Sequence, residues 1–555
     1  MDQSASQLGT LTLRAQVNLN RTFADRHAIA AVAGVETIDR VNQSWYYPRT
    51  YGFNDQTLSV GDLVYGYGGV GEAQLLDWQG DPQTFSHLNG FGYMTDRYFS
   101  AFANASYTFD GKYTISGSVR TDASNLITDD PKYRYAPFWS VGASWQLGKE
   151  DFMRGSVFDI LTLRATFGHN GNVDKTTTFQ PLLQPYPTPS VVTGENILGN
   201  ANGQNLMNSF GNPTLRWERT RTFDAGVDFQ LWRGLLRGKF DVYRRHSLDL
   251  IASVSLPKVM GTSSIRLNNG EITNNGIEFE IGSTVPIRGR DIVWDGTLMF
   301  SYNKNMIKTL QVKPTSAYYL TLYQANPSYY TGNNWLEGHD MNTQWCYEYG
   351  GLINNGTETS PDMQPTILGK DGNRQTMASW PSGDAENISY DMGTRVAPVN
   401  ASFSTSLKLY DFDFSMIFTG KFGHVFMRES FNYPTLDGGE IPNAKLSEVV
   451  NCDPQKMIPL PQGDVDSGYD FWSNFYPFMS YLATNASFIR CQEINVAYNL
   501  PKAATDWLRV GGLKLYVQAN NPFNIYFNKW HEDPEFKRGS IPLQAYYLFG
   551  IKLNF

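Results

Sequence analysis

Residues 546–555 read YYLFGIKLNF. Tyr547, Phe549, Ile551, Leu553 and Phe555 occupy every second position, with Leu548, Gly550, Lys552 and Asn554 between them. Alternation with period two marks a strand with two unlike faces. Termini of soluble chains are usually polar and frayed, whereas this stretch closes on an aromatic. The last strand of a membrane barrel has to pair with another strand to remove an edge, and it shows one face to lipid and the other to the lumen. A strand buried in a soluble sheet would alternate in the same way, so the remaining 545 residues decide.

They repeat the pattern. Ala101, Ala103, Ala105, Tyr107 and Phe109 alternate with Asn104, Ser106 and Thr108, and Asp110-Gly111 then makes a tight-turn pair. Phe223, Ala225, Val227, Phe229 and Leu231 alternate with Asp224, Gly226, Asp228 and Gln230. Ile277, Phe279 and Ile281 alternate with Glu278, Glu280 and Gly282. Phe412, Phe414, Met416 and Phe418 repeat the motif after Tyr410-Asp411. Such runs last about ten residues, the length a tilted strand needs to cross a bilayer. Carboxylates fall on one face only. A lumen tolerates them there, and lipid does not.

Composition agrees. The chain has 555 residues, 14% aromatics, 50 Gly and only 18% charged residues, so it favours strands and turns over helices. Its net charge of −8 lacks the basic footprint of a nucleic-acid binder. No apolar run reaches the roughly 18 residues of a membrane helix, but barrel strands hide their apolar residues among polar ones. Met1-Asp2-Gln3-Ser4 does not open a signal peptide, so an exported protein is expected to begin upstream. Cys346, Cys452 and Cys491 match no zinc spacing and are expected as free thiols.

Connections sort by length. Short links near 22–25, 110–111, 149–158, 232–234, 285–290, 410–411 and 499–510 take turns with long ones near 40–96, 122–136, 170–217, 251–270, 304–394, 419–484 and 521–543. Outer-membrane barrels have short periplasmic turns and long outer loops. The expected fold is all-β: a transmembrane antiparallel β-barrel with about fifteen strands on this chain. An odd count, where even numbers are the rule, predicts that further strands are missing.

Several stretches then resemble one family. They are APFWSVGASW (136–145), GKEDFM (148–153), LTLRATFGHNGN (161–172), GNPTLRWERT (211–220), NGEITNNGIE (269–278), ASFIR (486–490), NLP (499–501), NNPF (520–523), DPE (533–535) and FGIKLNF (549–555). In this order they resemble the SusC/RagA-type TonB-dependent transporters of Bacteroidota outer membranes. The resemblance implies a 22-strand barrel of which residues 1–555 carry the later part, with the plug domain and early strands on another polypeptide. It implies active import of oligosaccharides or oligopeptides, a SusD-like surface lipoprotein as partner, and coupling to the TonB complex through the missing plug segment. It implies that Phe549 and Phe555 belong to a barrel assembly signal. A passive porin-like channel and a surface adhesin barrel remain the alternatives.

No enzyme constellation is present, and no cofactor is expected. His531-Glu532-Asp533-Pro534-Glu535 lacks helical H-E-x-x-H spacing and reads as a polar loop. Asp464, Asp466 and Asp470 space their oxygens like a calcium loop but lack the closing Glu, so a solvated turn is the simpler reading. The better lead is aromatic. Tyr329, Tyr330, Trp335 and Trp345 in one long loop, and Trp472 and Tyr476 in another, offer flat rings with polar tips to a sugar, a peptide or a partner protein. The same rings could instead pack the loops together.

Overall fold

The computed structural model describes residues 4–46, 55–57, 75–76, 82–83, 90–185, 205–209, 211–255, 264–289, 291–310, 320–321, 335–359, 362–376, 385–429, 446–459, 476–536 and 541–554. Fifteen strands lie side by side in chain order in one antiparallel sheet. They are β1 (Ser4–Phe23), β2 (His27–Tyr46), β3 (Gly90–Phe109), β4 (Tyr113–Ser124), β5 (Ala136–Trp145), β6 (Phe158–Asn172), β7 (Glu218–Leu231), β8 (Leu236–Ser255), β9 (Ser264–Arg288), β10 (Ile292–Leu310), β11 (Val399–Leu409), β12 (Phe412–Phe422), β13 (Phe488–Asn499), β14 (Gly512–Asn520) and β15 (Tyr546–Asn554). A short strand, Asn524–Tyr526, also pairs with β13. β1 and β15 stand at the two ends of the sheet.

The expected strand count holds, but the alternation of short and long links holds only in part: the links 125–135 and 256–263 are shorter than 146–157 and 500–511. The strand ends differ from expectation. β2 continues to Tyr46 and β3 begins at Gly90, so the link placed at 40–96 is shorter. β8 and β9 likewise run into 251–270, and β9 reaches 25 residues. The physical reason is that paired backbone needs no lipid. The ladder continues through segments that mix polar residues with exposed rings such as Tyr46, Phe91 and Tyr93, so apolar alternation does not mark where it stops.

Register separates the faces. One row crosses the wall through Arg164, Gly226, Asp241, Glu278, Ser301, Asn400 and Lys421. The adjacent row holds Phe279, Phe300 and Ala401, where the Phe279 and Phe300 rings stack 4.9 Å apart. Phe229, Phe279 and Phe414 are half-buried on this apolar face, and none sits in a globular core. Aromatic rings also close the apolar face at the short-turn end. Phe109 stacks on Tyr113 at 6.5 Å, and Tyr113 on Trp145 at 6.1 Å. Such rows mark a membrane interface.

One short turn carries the dihedrals its sequence predicts. Asp110 and Gly111 both have positive φ (56° and 62°), as a type I′ hairpin requires. At Gly276 the requirement is space instead: a Cβ would overlap the Tyr243 ring, which lies across this position from the neighbouring strand. Buried apolar side chains of the described residues gather elsewhere, in three clusters at or beyond the long-loop ends of the strands.

Candidate functional site: the loop platform and the polar wall

The largest cluster belongs to loops, not to the barrel. Leu336, Trp345, Tyr347, Tyr349 and Ile367 from the β10–β11 connection meet Val449, Ile458, Tyr476, Met479 and Leu482 from the β12–β13 connection. Long loops lose much entropy on ordering, and aromatic side chains bury enough area to offset it. Short strands frame this core. Thr343–Cys346 pairs with Tyr390–Thr394, and Glu348–Asn354 with Met363–Leu368. Tyr347 joins the two connections through its own backbone: its N–H donates to the Phe478 carbonyl (2.9 Å), and its carbonyl accepts from Ser480 (2.8 Å).

Burial redefines the aromatic candidates. Trp345 is 1% and Tyr476 2% exposed, so both rings hold the platform together and present no face to a ligand in this arrangement. Trp335 is half-buried against Ile272, Ile307 and Leu310 at the rim of β9 and β10. Tyr329, Tyr330 and Trp472 lie outside the described residues, as do Asp464, Asp466, Asp470 and Phe555. Phe549 is 78% exposed on the apolar face of β15. All three cysteines are free thiols, and burial pushes the Cys346 thiol up to about 12.

Two sets of contacts fix the platform to the rim. At the end of β10, Gly338 donates to the Ile307 carbonyl and Ile307 to that of His339, each at 2.9 Å, while Leu310 N–H donates to Glu337 Oε1 at 2.6 Å. The second set is ionic. Arg428, 4% exposed, donates to Glu448 (3.0 Å) and Glu532 (3.1 Å), and its guanidinium lies 3.6 Å from the Trp530 ring centre. Burial opposes the charge on Arg428, but the two carboxylates more than compensate and raise its pKa. Arg490, also 4% exposed, pairs with Asp533 (3.0 Å) and Glu535 (3.2 Å), and Lys421 reaches Glu535 as well. The segment 531–535 is therefore a clamp: Glu532, Asp533 and Glu535 each meet a cation. Among the described residues, no three His, Cys, Asp or Glu side chains form a group that could hold a metal ion.

Below the platform, the polar face carries mixed charge. Arg164 lies among Asp224, Asp228 (3.0 Å) and Asp241, and crosses over Gly226, where a Cβ would strike both Arg164 and Asp241. Lys239 pairs with Glu280 (3.3 Å), Lys514 with Asp413 (2.9 Å), and Arg120 with Asp122 (2.7 Å). Glu278 has no ion-pair partner among the described residues. The arrangement offers alternating donors and acceptors with an acidic excess, since three aspartates share Arg164.

A family model described as TonB dependent receptor-like, beta-barrel, matches residues 2–351. The TonB-dependent receptor SusC of Bacteroides thetaiotaomicron is 26% identical over 536 residues, which cover 92% of this chain and 49% of that protein. The TonB-dependent receptor P3 of Formosa agariphila is 25% identical over 441 residues, 76% of this chain and 40% of that protein. The chain thus spans about half the length of the curated relatives it matches, or less. A solved structure of the RagAB peptide transporter superposes with a TM-score of 0.72 at 19% identity, covering 100% of this chain and 56% of that one. These relatives are receptors and transporters, not enzymes.

Proposed function

Because this chain belongs to the TonB dependent receptor-like β-barrel family and resides in the bacterial outer membrane, we propose that it forms the later wall and the outer mouth of an energised importer of the SusC/RagA type. The remaining strands and the plug are supplied by polypeptide beyond residues 1–555, and the plug carries the contact with the TonB complex. A SusD-like surface lipoprotein sits on the platform built from the β10–β11 and β12–β13 connections. Cargo is an oligosaccharide or oligopeptide, the second in keeping with a structural neighbour described as the RagAB peptide transporter.

One observation carries the reading: a platform with its own buried core, clamped to the rim, above a polar wall whose charges are mostly paired. A passive channel has no use for so heavily built a mouth. A polar molecule can exchange hydrogen bonds along such a wall.

The test is uptake by cells that depend on this chain. Import of glycan or peptide mixtures should stop on deletion, and should also stop when the proton gradient is collapsed in the intact strain. Flux that survives collapse of the gradient favours a porin-like channel. Lost adhesion with normal uptake favours an adhesin. Affinity purification from native membranes should bring down a surface lipoprotein, and its absence would remove the SusD-like partner.

A further inference from the structure

One patch of the apolar face is not apolar. Successive rows across β7 to β10 carry no charge up to the row of Ala225, Val242, Ile277 and Tyr302. The next row toward the long loops holds Arg244 and Lys304, and the one after it begins with Arg221 on β7. All three side chains are exposed, and none has an ion-pair or hydrogen-bond partner among the described residues. The carboxylates at this end of the same strands are engaged. Asp249 meets Arg216 and Arg219 (2.6 Å each), Glu271 meets His246 (3.2 Å), and Glu218 accepts from Asn172 (3.1 Å) and the Ile251 N–H (3.0 Å). Charge that faces away from the lumen has no part in moving cargo.

We propose that Arg221, Arg244 and Lys304 form a site for the phosphorylated headgroup of an outer-leaflet lipid. Height is the first argument. Arg244 stands eight residues from Leu236, and Arg221 ten from Leu231, the two sides of the β7–β8 turn. At about 3.3 Å per residue and a tilt of about 40°, the rise is roughly 20–25 Å, which reaches the top of an apolar band about 25 Å tall. Spacing is the second. Arg221 and Arg244 are diagonal neighbours on adjacent strands, roughly 7–8 Å apart. Lys304 lies two strands from Arg244 in the same row, roughly 10 Å away. Long side chains from three such points can converge on one phosphate group.

Chemistry selects the occupant. Guanidinium forks and an ammonium bind phosphate oxygens far better than they bind a neutral headgroup. A soluble anion would make no use of the apolar rows beneath. An amphiphile lays its acyl chains on Val242, Ile277 and Tyr302 while its phosphate meets the cations. The charge is also local. At the same end of this face, Arg97 on β3 is paired with Asp39 (3.5 Å), and the ends of β11, β12, β14 and β15 carry Val399, Phe422, Ala519 and Tyr547. A general attraction of the headgroup layer for basic residues would have spread unpaired cations along the whole sheet.

Lipid retention by the complex purified from native outer membranes tests the proposal. A triple variant, Arg221→Gln, Arg244→Gln and Lys304→Gln, is compared with wild type and with Arg245→Gln. Arg245 is next in sequence to Arg244 but lies on the polar face, 4.6 Å from the Tyr243 ring centre. Native mass spectrometry in mild detergent counts the bound lipid. Rebinding is measured with the phosphorylated glycolipid extracted from the same membranes, with that lipid after phosphatase treatment, and with inorganic phosphate as competitor. Wild type and Arg245→Gln should retain the lipid, and the triple variant should lose it several-fold. The dephosphorylated lipid should rebind poorly, and millimolar phosphate should leave the intact lipid in place. Equal retention by wild type and the triple variant, or equal loss in Arg245→Gln, overturns the proposal. Displacement by phosphate alone overturns it too, since the site would then take a free anion. So does loss of a co-purifying protein from the triple variant with its lipid unchanged, since the patch would then be a protein interface. Arg244→Gln alone replaces the triple variant if that one fails to form a heat-modifiable barrel.

Discussion

At the scale of single residues, Arg428 shows how charge is used away from the lipid. Its guanidinium is nearly sealed off and is satisfied by two carboxylates from different connections and one indole face. Removing one member of a buried ion pair typically costs about 3–5 kcal/mol, and the partly exposed carboxylates here favour the lower end. Arg428→Ala should therefore expose the segments around Glu448 and Glu532 to protease while leaving the barrel heat-modifiable, and Arg428→Lys should restore part of the protection. Protease resistance equal to wild type would sink the clamp. Glu150 gives a pH-dependent case. Its carboxylate accepts from Tyr113 Oη (2.5 Å), Trp145 Nε1 (3.0 Å) and Lys112 Nζ (3.1 Å), and these donors lower its pKa from 4.5 to about 2. A depressed carboxyl adds stability above its unfolded pKa and loses it as pH falls. The melting temperature of wild type should exceed that of Glu150→Gln at neutral pH, and the gap should narrow between pH 4.5 and 2. A gap that persists unchanged to the acid end would contradict the assignment.

At the scale of elements, β15 puts the alternation to a direct test. Phe549 and Ile551 pair with Val517 and Leu515 on the apolar face, while Leu548 pairs with Gln518 on the polar face. A lysine facing mid-bilayer costs about 2–4 kcal/mol, and much less toward a polar lumen. Ile551→Lys should lower the yield of folded barrel markedly, and Leu548→Lys should lower it little. Equal losses would mean that the two faces do not differ in environment. The strands were legible because their pattern is local: period two, and tight-turn pairs such as Asp110-Gly111. Their far ends were not legible. Apolar residues such as Trp45, Val254 and Ile265 still occur in the extensions of β2, β8 and β9, so hydropathy does not mark where these ladders stop.

At the scale of the whole molecule, the platform and the barrel are stabilised differently. The platform has a dry core around Trp345 and Tyr476; the barrel wall has backbone ladders and a lipid-facing surface. Units with separate sources of stability open separately. Heating in detergent should release residues 335–376 to protease before the barrel loses heat-modifiability. Trp345→Ala, which removes a ring 1% exposed, should widen that interval by costing the platform about 3–5 kcal/mol. A single coincident transition in both proteins would show one cooperative unit instead. The same division explains the aromatic candidates. Trp345 and Tyr476 look in sequence like rings available to a ligand, yet they are 131 positions apart and meet each other's neighbours in one core.

The sequence by itself determined the strand class, the two faces and the family resemblance, because each rests on residues within a few positions of one another. Tertiary structure alone decided which loop rings are buried, that the 531–535 carboxylates clamp Arg428 and Arg490, and that Arg221, Arg244 and Lys304 share one patch. Those facts depend on which distant segments the ladder of strands brings together, and a one-dimensional pattern carries no record of such distances.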